Sequence, residues 1–241
     1  MNTSTNSRCD TTAPHGRTVK DRSGSSSRFS RPPLTNTSLR DFLRTRRSIR
    51  RFQPDPVPDA VIRDILHTAT FAPSAHNRQP WRFIVLTESA AKKDLSDRMA
   101  EEFQRDLAQD RLPAEEITKR VNRSRERITS SPVVILLCLD MTDMDRYPDE
   151  RRRESEHLIA TQSVANAGMQ LLLAAHAEGL GGVWVCSPIF AQETVCKALN
   201  LSQAWEPHAM FLLGYPSENP VIRERKPLDE IAIFQTEKIL K

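Results

Sequence analysis

Ala72-Pro73-Ser74-Ala75-His76-Asn77-Arg78-Gln79-Pro80-Trp81-Arg82-Phe83 joins a segment of helical period to an apolar strand, and it is the densest stretch of polar chemistry in the chain. Pro73 and Pro80 each fix φ and each remove a backbone donor, so neither a helix nor a strand ladder can run through the stretch. A stiff loop is expected. Between the prolines, Ser74, Asn77 and Gln79 can both donate and accept hydrogen bonds, which suits the edge of a heteroaromatic ligand. The competing reading is a polar connection in which Ser and Asn only cap a turn.

Outward from this loop, helices and strands interleave. Thr37-Ser38-Leu39-Arg40-Asp41-Phe42-Leu43 reads as a helix start with Ser38 as N-cap and Leu39, Phe42 and Leu43 on one face. Pro54, Pro56 and Pro58 form a stiff connector, and Asp59 opens a helix with Ile62, Ile65, Leu66 and Ala69 at i, i+3, i+4 and i+7. Residues 81–86 read as a strand buried on both faces. Residues 90–108 and 113–128 read as helices, the second rich in arginine. A second strand is expected at 133–139, a long helix at 154–178 closed by Gly179, a third strand at 183–186, a short helix at 191–199 and a fourth strand at 208–213. The small residues Ala160, Ser163, Ala165, Ala167 and Gly168 make the long helix a candidate core or dimer helix, with His157 and His176 packed or capped. Three of the seven glycines fall in Gly179-Leu180-Gly181-Gly182, where the backbone needs positive φ or a close approach.

Composition narrows the function classes. Residues 1–36 are rich in Ser, Thr, Asn and Arg and too poor in apolar side chains to form a core, so a disordered tail is expected there and one folded domain over 37–241. The tail holds six of the 35 basic residues and two of the 31 acidic ones, leaving 29 of each in the remainder. The pI near 9.0 therefore belongs to the tail. A neutral body argues against a specific nucleic-acid groove, which needs a charge excess for its phosphate contacts. No unbroken apolar run approaches the roughly 20 residues of a membrane span, and no secretory core is present at the N-terminus. A soluble cytoplasmic protein is expected. Cys9, Cys138, Cys186 and Cys196 form no C-x-x-C pair, and the six histidines form no H-x-x-H pattern, so spacing along the chain points to no metal.

Two clusters offer anion chemistry. Arg46-Arg47-Ser48-Ile49-Arg50-Arg51-Phe52 lies where a helix gives way to extended chain; alternation puts Ser48 and Arg50 on one face, so Arg46, Ser48 and Arg50 can converge on one phosphate. A solvated basic surface is the bland alternative. Arg223-Glu224-Arg225-Lys226 supplies a second basic cluster. With no G-x-G-x-x-G and no P-loop in the chain, any phosphate must be held by arginines.

These parts together resemble the FMN-dependent nitroreductase family. The resemblance rests on 46–52, on 72–83, on Gly179-Leu180-Gly181-Gly182-Val183-Trp184 and on Leu213-Gly214-Tyr215-Pro216, and spans about residues 38 to 234. It implies an α+β fold with a mainly antiparallel central sheet flanked by helices, and an intertwined homodimer with FMN sites at the subunit interface. It implies that Arg46, Ser48 and Arg50, joined by Arg225 and Arg223 of the C-terminal cluster, hold the FMN phosphate, and that Arg47 is among the cofactor-binding residues. Pro73, Ser74, Ala75 and Asn77 would line the ribityl chain and flavin edge, and Val185, Cys186 and Ser187 would run their backbone past the flavin. No catalytic side chain is implied, and Cys186, read as a buried strand-end thiol, is not expected to be a nucleophile. Arg123 and Arg127 are candidates for the pyrimidine edge. The implied activity is transfer of hydride from NAD(P)H through FMN to a small organic acceptor. Arg105-Asp106-Leu107, Leu112-Pro113, Arg120-Val121, Tyr147-Pro148-Asp149 with Arg153 and Glu156, and Trp205-Glu206-Pro207 further resemble the C-terminal FMN-reductase domain of FbiB-type deazaflavin coenzyme biosynthesis proteins. That likeness makes a dehydro precursor of the coenzyme a candidate acceptor. A broad nitro or quinone reductase and a flavin-binding protein without turnover are the alternatives.

Overall fold

The computed structural model describes residues 36–220 and 222–234. The tail expected over 1–36 lies outside the described residues, except that Asn36 opens the first helix. The elements run α1 (Asn36–Thr45), α2 (Asp59–Ala69), β1 (Trp81–Leu86), α3 (Ser89–Gln109), α4 (Ala114–Thr129), β2 (Val133–Asp140), α5 (Glu150–Ala177), β3 (Gly181–Val185), α6 (Gln192–Ala198) and β4 (Trp205–Gly214), with short 3-10 turns at 75–77, 187–190 and 228–230.

The four strands form one antiparallel sheet in the order β1-β2-β4-β3. Central β2 is buried at every residue, and its alternation sorts the core into two layers. Val133, Ile135, Leu137 and Leu139 pack with Phe211 and Leu213 under α2 and α5, whereas Val134, Leu136, Met210 and Leu212 pack under α3, α6 and the end of α4. This is the period-2 rule of a pleated strand with both faces covered. A smaller cluster of Ala100, Leu107, Ile117 and Val121 joins α3 to α4.

The sequence reading is corrected at several points: α1 begins at Asn36, so Ser38 lies inside it and is not its cap. β1 is an edge strand, with Arg82 to Ile84 half-buried and Val85 exposed, so it is not buried on both faces as its apolar composition suggested. β4 begins at Trp205 rather than 208, because Pro207 is absorbed where the β2 register shifts between Leu137 and Cys138. α5 begins at Glu150 because Asp149 caps it, its side chain accepting from the Arg152 amide.

By length and hydropathy α5 could cross a membrane, but half of that apolar window is buried in this fold, as in a core helix. Ala160, Ser163, Ala167 and Gly168 face the sheet while Ala165 is exposed. At Gly168 a Cβ would lie 2.5 Å from the Trp184 ring and 2.8 Å from Phe211, so only glycine allows this approach. The strap formed by residues 46–53 then crosses the β3 end of the sheet: Ser48 bridges Gly182, Ile49 donates its amide to the Gly182 carbonyl at 3.1 Å, and Gln53 donates to the Tyr215 carbonyl at 2.8 Å.

Candidate active site

Gly181 brings the strap against the sheet, since a Cβ there would meet the Ile49 side chain at 2.8 Å. Ile49 is thereby buried, and Ser48 and Arg50 are exposed as alternation predicted; Arg51 is exposed too instead of pointing inward. The arginines do not share one cleft. Arg46 and Arg47 line a cleft of about 260 Å³ with His176, the glycine turn, Pro216 and Glu218. Arg50 lies in a neighbouring, polar cleft of about 710 Å³ with Arg51, Arg123, Arg127 and Ser217. The convergence of Arg46, Ser48 and Arg50 on one point is therefore corrected to two clefts that share Glu218.

Burial lowers the Arg46 guanidinium from its ordinary value, and the charges of Arg225 and Arg47 lower it further. A guanidinium keeps its proton under such pressure, so the surroundings disfavour the charge without removing it. Arg225 thus joins the cluster from the C-terminal segment. Arg223 and Arg225 are both exposed and line neither cleft, and of the two Arg225 is the one whose charge acts on Arg46. Two carboxylates sit among these cations: Glu126 lines the Arg50 cleft, and Glu218, common to both clefts, takes the Arg50 amide at 3.3 Å and stands 3.8 Å from Arg51. Arg47 turns one nitrogen back onto the Arg46 carbonyl at 2.8 Å, while its Nε is buried without a hydrogen-bond partner among the described residues.

A third cavity, of about 390 Å³ and mostly apolar, lies between α3, α4 and the end of β3, with Val185, Ser187, Phe103, Phe190 and Arg127 in its walls. Arg127 is common to this cavity and to the Arg50 cleft. Ser187 carries a second buried and unpartnered atom, its Oγ. Cys186 is exposed, which corrects the expectation of a buried thiol; the buried ones are Cys138 and Cys196. Burial, aided by Cys196, pushes the Cys138 thiol up to about 12, so that cysteine is inert.

The loop 73–79 stands elsewhere on the same long helix. Asn166 of α5 donates to the Pro73 carbonyl at 3.2 Å, and the Ala75 amide donates to Ser163 Oγ at 3.1 Å. Ser74 Oγ accepts the Gln79 amide at 3.1 Å, so its role as a turn cap is real. His76, Asn77 and Gln79 all have φ near +50°. For residues other than glycine that conformation costs about 1–3 kcal/mol each, and such strain gathers at ligand sites. Asn166 and His176 are ten residues apart on α5, about 15 Å at the helical rise. Within one chain, then, loop and arginine cluster do not meet.

An antiparallel sheet covered by helices on both faces, with an arginine strap over one end and an apolar cavity beside its edge strand β3, defines an α+β domain. The model of the nitroreductase family matches residues 43–215, and the chain belongs to that family. It is accordingly an oxidoreductase. Over 193 residues it is 32% identical to a Bacillus subtilis protein provisionally named as an NAD(P)H nitroreductase, covering 79% of this chain and 90% of that one. Over 209 residues it is 31% identical to the 5,6-dimethylbenzimidazole synthase of Rhodospirillum rubrum, covering 81% and 92%. Among solved structures it resembles a provisionally assigned nitroreductase of Desulfovibrio desulfuricans in complex with FMN, with TM-score 0.64, 28% identity, and coverage of 84% of this chain and 99% of that chain.

Proposed function

We propose that this oxidoreductase binds FMN along the linked clefts, takes hydride from NADH or NADPH, and delivers it to a small organic acceptor, for which a dehydro precursor of the 5-deazaflavin coenzyme is our first assignment. The observation that carries the reading is the gradient along the clefts. Arg46, Arg47 and Arg225 stand at one end, Arg50, Arg123 and Arg127 in the middle, and an apolar cavity flanked by Val185 and Ser187 at the other. A molecule with a phosphate dianion at one end and a flat apolar ring at the other fits that order. Two buried atoms without partners, Arg47 Nε and Ser187 Oγ, would be satisfied by such a ligand.

When bound, FMN supplies two-electron hydride exchange with a nicotinamide and then with an acceptor. The chain does the rest by position and charge. Arg46, Arg47 and Arg225 would hold phosphate oxygens through charge-assisted bonds on the order of 1.5–3 kcal/mol each. Glu218 must then stay with Arg50 and Arg51, where it already lies. Arg127 would stabilise negative charge beside the apolar cavity, and the cavity would exclude water from a ring bound there. The strained Pro73 to Asn77 loop, about 15 Å along α5 from the cluster, would serve the cofactor of a second copy, which is the reading of a homodimer with shared sites.

The acceptor rests on motifs. Tyr147-Pro148-Asp149 and Trp205-Glu206-Pro207, with Arg105-Asp106-Leu107, support the deazaflavin precursor. The Rhodospirillum relative, at 31% identity, favours a second reading as a benzimidazole synthase. Anaerobic addition of NADH or NADPH should bleach the bound flavin, and the reduced enzyme should then be reoxidised fastest by the dehydro precursor. Faster reoxidation by nitroaromatics or quinones would replace that acceptor, release of dimethylbenzimidazole would favour the second reading, and flavin that stays yellow under both nicotinamides would leave a binding protein without turnover. Purified Arg46→Ala/Arg225→Ala protein should be colourless while Arg223→Ala stays yellow; full flavin occupancy in the double variant would refute the phosphate anchor.

A further inference from the structure

His157 on α5 and Glu206 and His208 on β4 converge on the far side of the molecule from the arginine strap. His157 Nε2 lies 2.8 Å from Glu206 Oε2, and His208 Nε2 lies 3.7 Å from the same oxygen. All three ligand atoms fall within 4.8 Å of one another. The two elements are 49 residues apart at the closest pair, which is why no spacing rule along the chain finds the cluster.

An ion pair between His157 and Glu206 explains only part of this arrangement. The His208 side chain is nine-tenths buried, at 10% exposure, and its Nε2 makes no hydrogen bond among the described residues although it is aimed at the same carboxylate. A buried ring nitrogen left without a partner costs about 1–3 kcal/mol.

We propose that His157, Glu206 and His208 form a binding site for a divalent first-row metal ion, zinc in the first instance. Two imidazoles and one carboxylate are a donor set that zinc takes, with bonds of about 2.0–2.2 Å and ligand atoms about 3.3 Å apart around a tetrahedral centre. The two imidazole-to-carboxylate separations, 2.8 and 3.7 Å, bracket that value, and the three ligand atoms lie within 4.8 Å of one another, so ligation requires the half-exposed His157 side chain to draw in. His157 and Glu206 are 45% and 34% exposed, which leaves the fourth position to water. A cleft of about 700 Å³ lined by Met141, Tyr147, Glu154 and His157 provides the way in. The ion would tie the first half of α5 to the start of β4, next to the register shift in β2.

The test is calorimetric titration of the chelator-stripped full-length protein with zinc chloride, repeated with cobalt(II) to read the ligand field. One ion per chain in the micromolar range or tighter, with cobalt bands of four-coordinate geometry, is expected. His157→Ala, at a half-exposed position that tolerates truncation, and Glu206→Gln should each weaken zinc binding by about 100-fold or more, while His15→Ala leaves it unchanged. No binding in the micromolar range, or binding that survives His157→Ala at full strength in protein of unchanged circular dichroism, overturns the site.

Discussion

His176 shows how one side chain reports on its surroundings. Its ring stacks on Phe42 with centroids 5.0 Å apart, and Nε2 lies 3.1 Å from Thr45 Oγ1, beside the arginine cluster. Burial, then the charges of Arg46 and Arg47, push its imidazole below the ordinary value. The unfolded chain then binds a proton more readily than the folded one, so stability is full above the ordinary histidine value of about 6.5 and falls as pH drops from there toward the lowered folded value. Thermal melting of flavin-free protein between about pH 7.5 and 5 should show this loss, and His176→Gln should flatten it; an unchanged slope in the variant would remove His176 as the cause. Lys92 makes a different use of burial, donating from Nζ to the Ser131 and Pro132 carbonyls at 2.8 and 3.2 Å to close the turn into β2.

At the scale of elements, α5 carries the design. One side lies on the sheet through Ala160, Val164, Ala167 and Leu171, and its close approach depends on Gly168. Gly168→Ala drives a methyl group into the edge-to-face pair of Trp184 and Phe211, whose centroids are 5.0 Å apart. Overpacking of this kind costs about 1–3 kcal/mol, and for a domain of this size each kcal/mol lowers Tm by about 2–4 °C. Calorimetry of Gly168→Ala should find a fall in that range; a Tm equal to the parent would mean that Trp184 moves freely. Helix propensity works the other way, since alanine is the better helix former by about 1 kcal/mol, so a net loss isolates the packing effect.

Over the whole molecule, large apolar side chains remain exposed on several elements. Leu158 and Met169 on the outer face of α5 are 57% and 44% exposed, and Leu39 and Leu43 of α1 are 44% and 48% exposed. The C-terminal segment leaves Ile222, Ile231, Ile233 and Phe234 open as well. A contiguous apolar patch on a protein surface is a common site of association, which makes these residues the place to test for a dimer. If two copies share each flavin site, Met169→Glu should shift the protein from dimer to monomer in sedimentation and lose FMN together with the dimer. A monomeric variant that keeps full flavin would show instead that one chain holds the cofactor alone.

Much of this was legible in the order of residues. Every helix and strand from 36 to 214 was signalled by apolar period, by proline and by glycine, because those features act through local backbone geometry. The arginine strap, the glycine turn and the proline-flanked loop were legible for the same reason, and so was the family they resemble. What the chain alone did not decide were relations across space: that Arg46 and Arg50 open onto different clefts, that the charge of Arg225 reaches Arg46, that Cys186 is exposed, that the edge position of β1 leaves it half-covered, and that two histidines and a glutamate meet across α5 and β4. Local signals determined the elements, whereas packing of the sheet against α5 determined which side chains became neighbours, since burial and electrostatic fields exist only between parts of a folded chain.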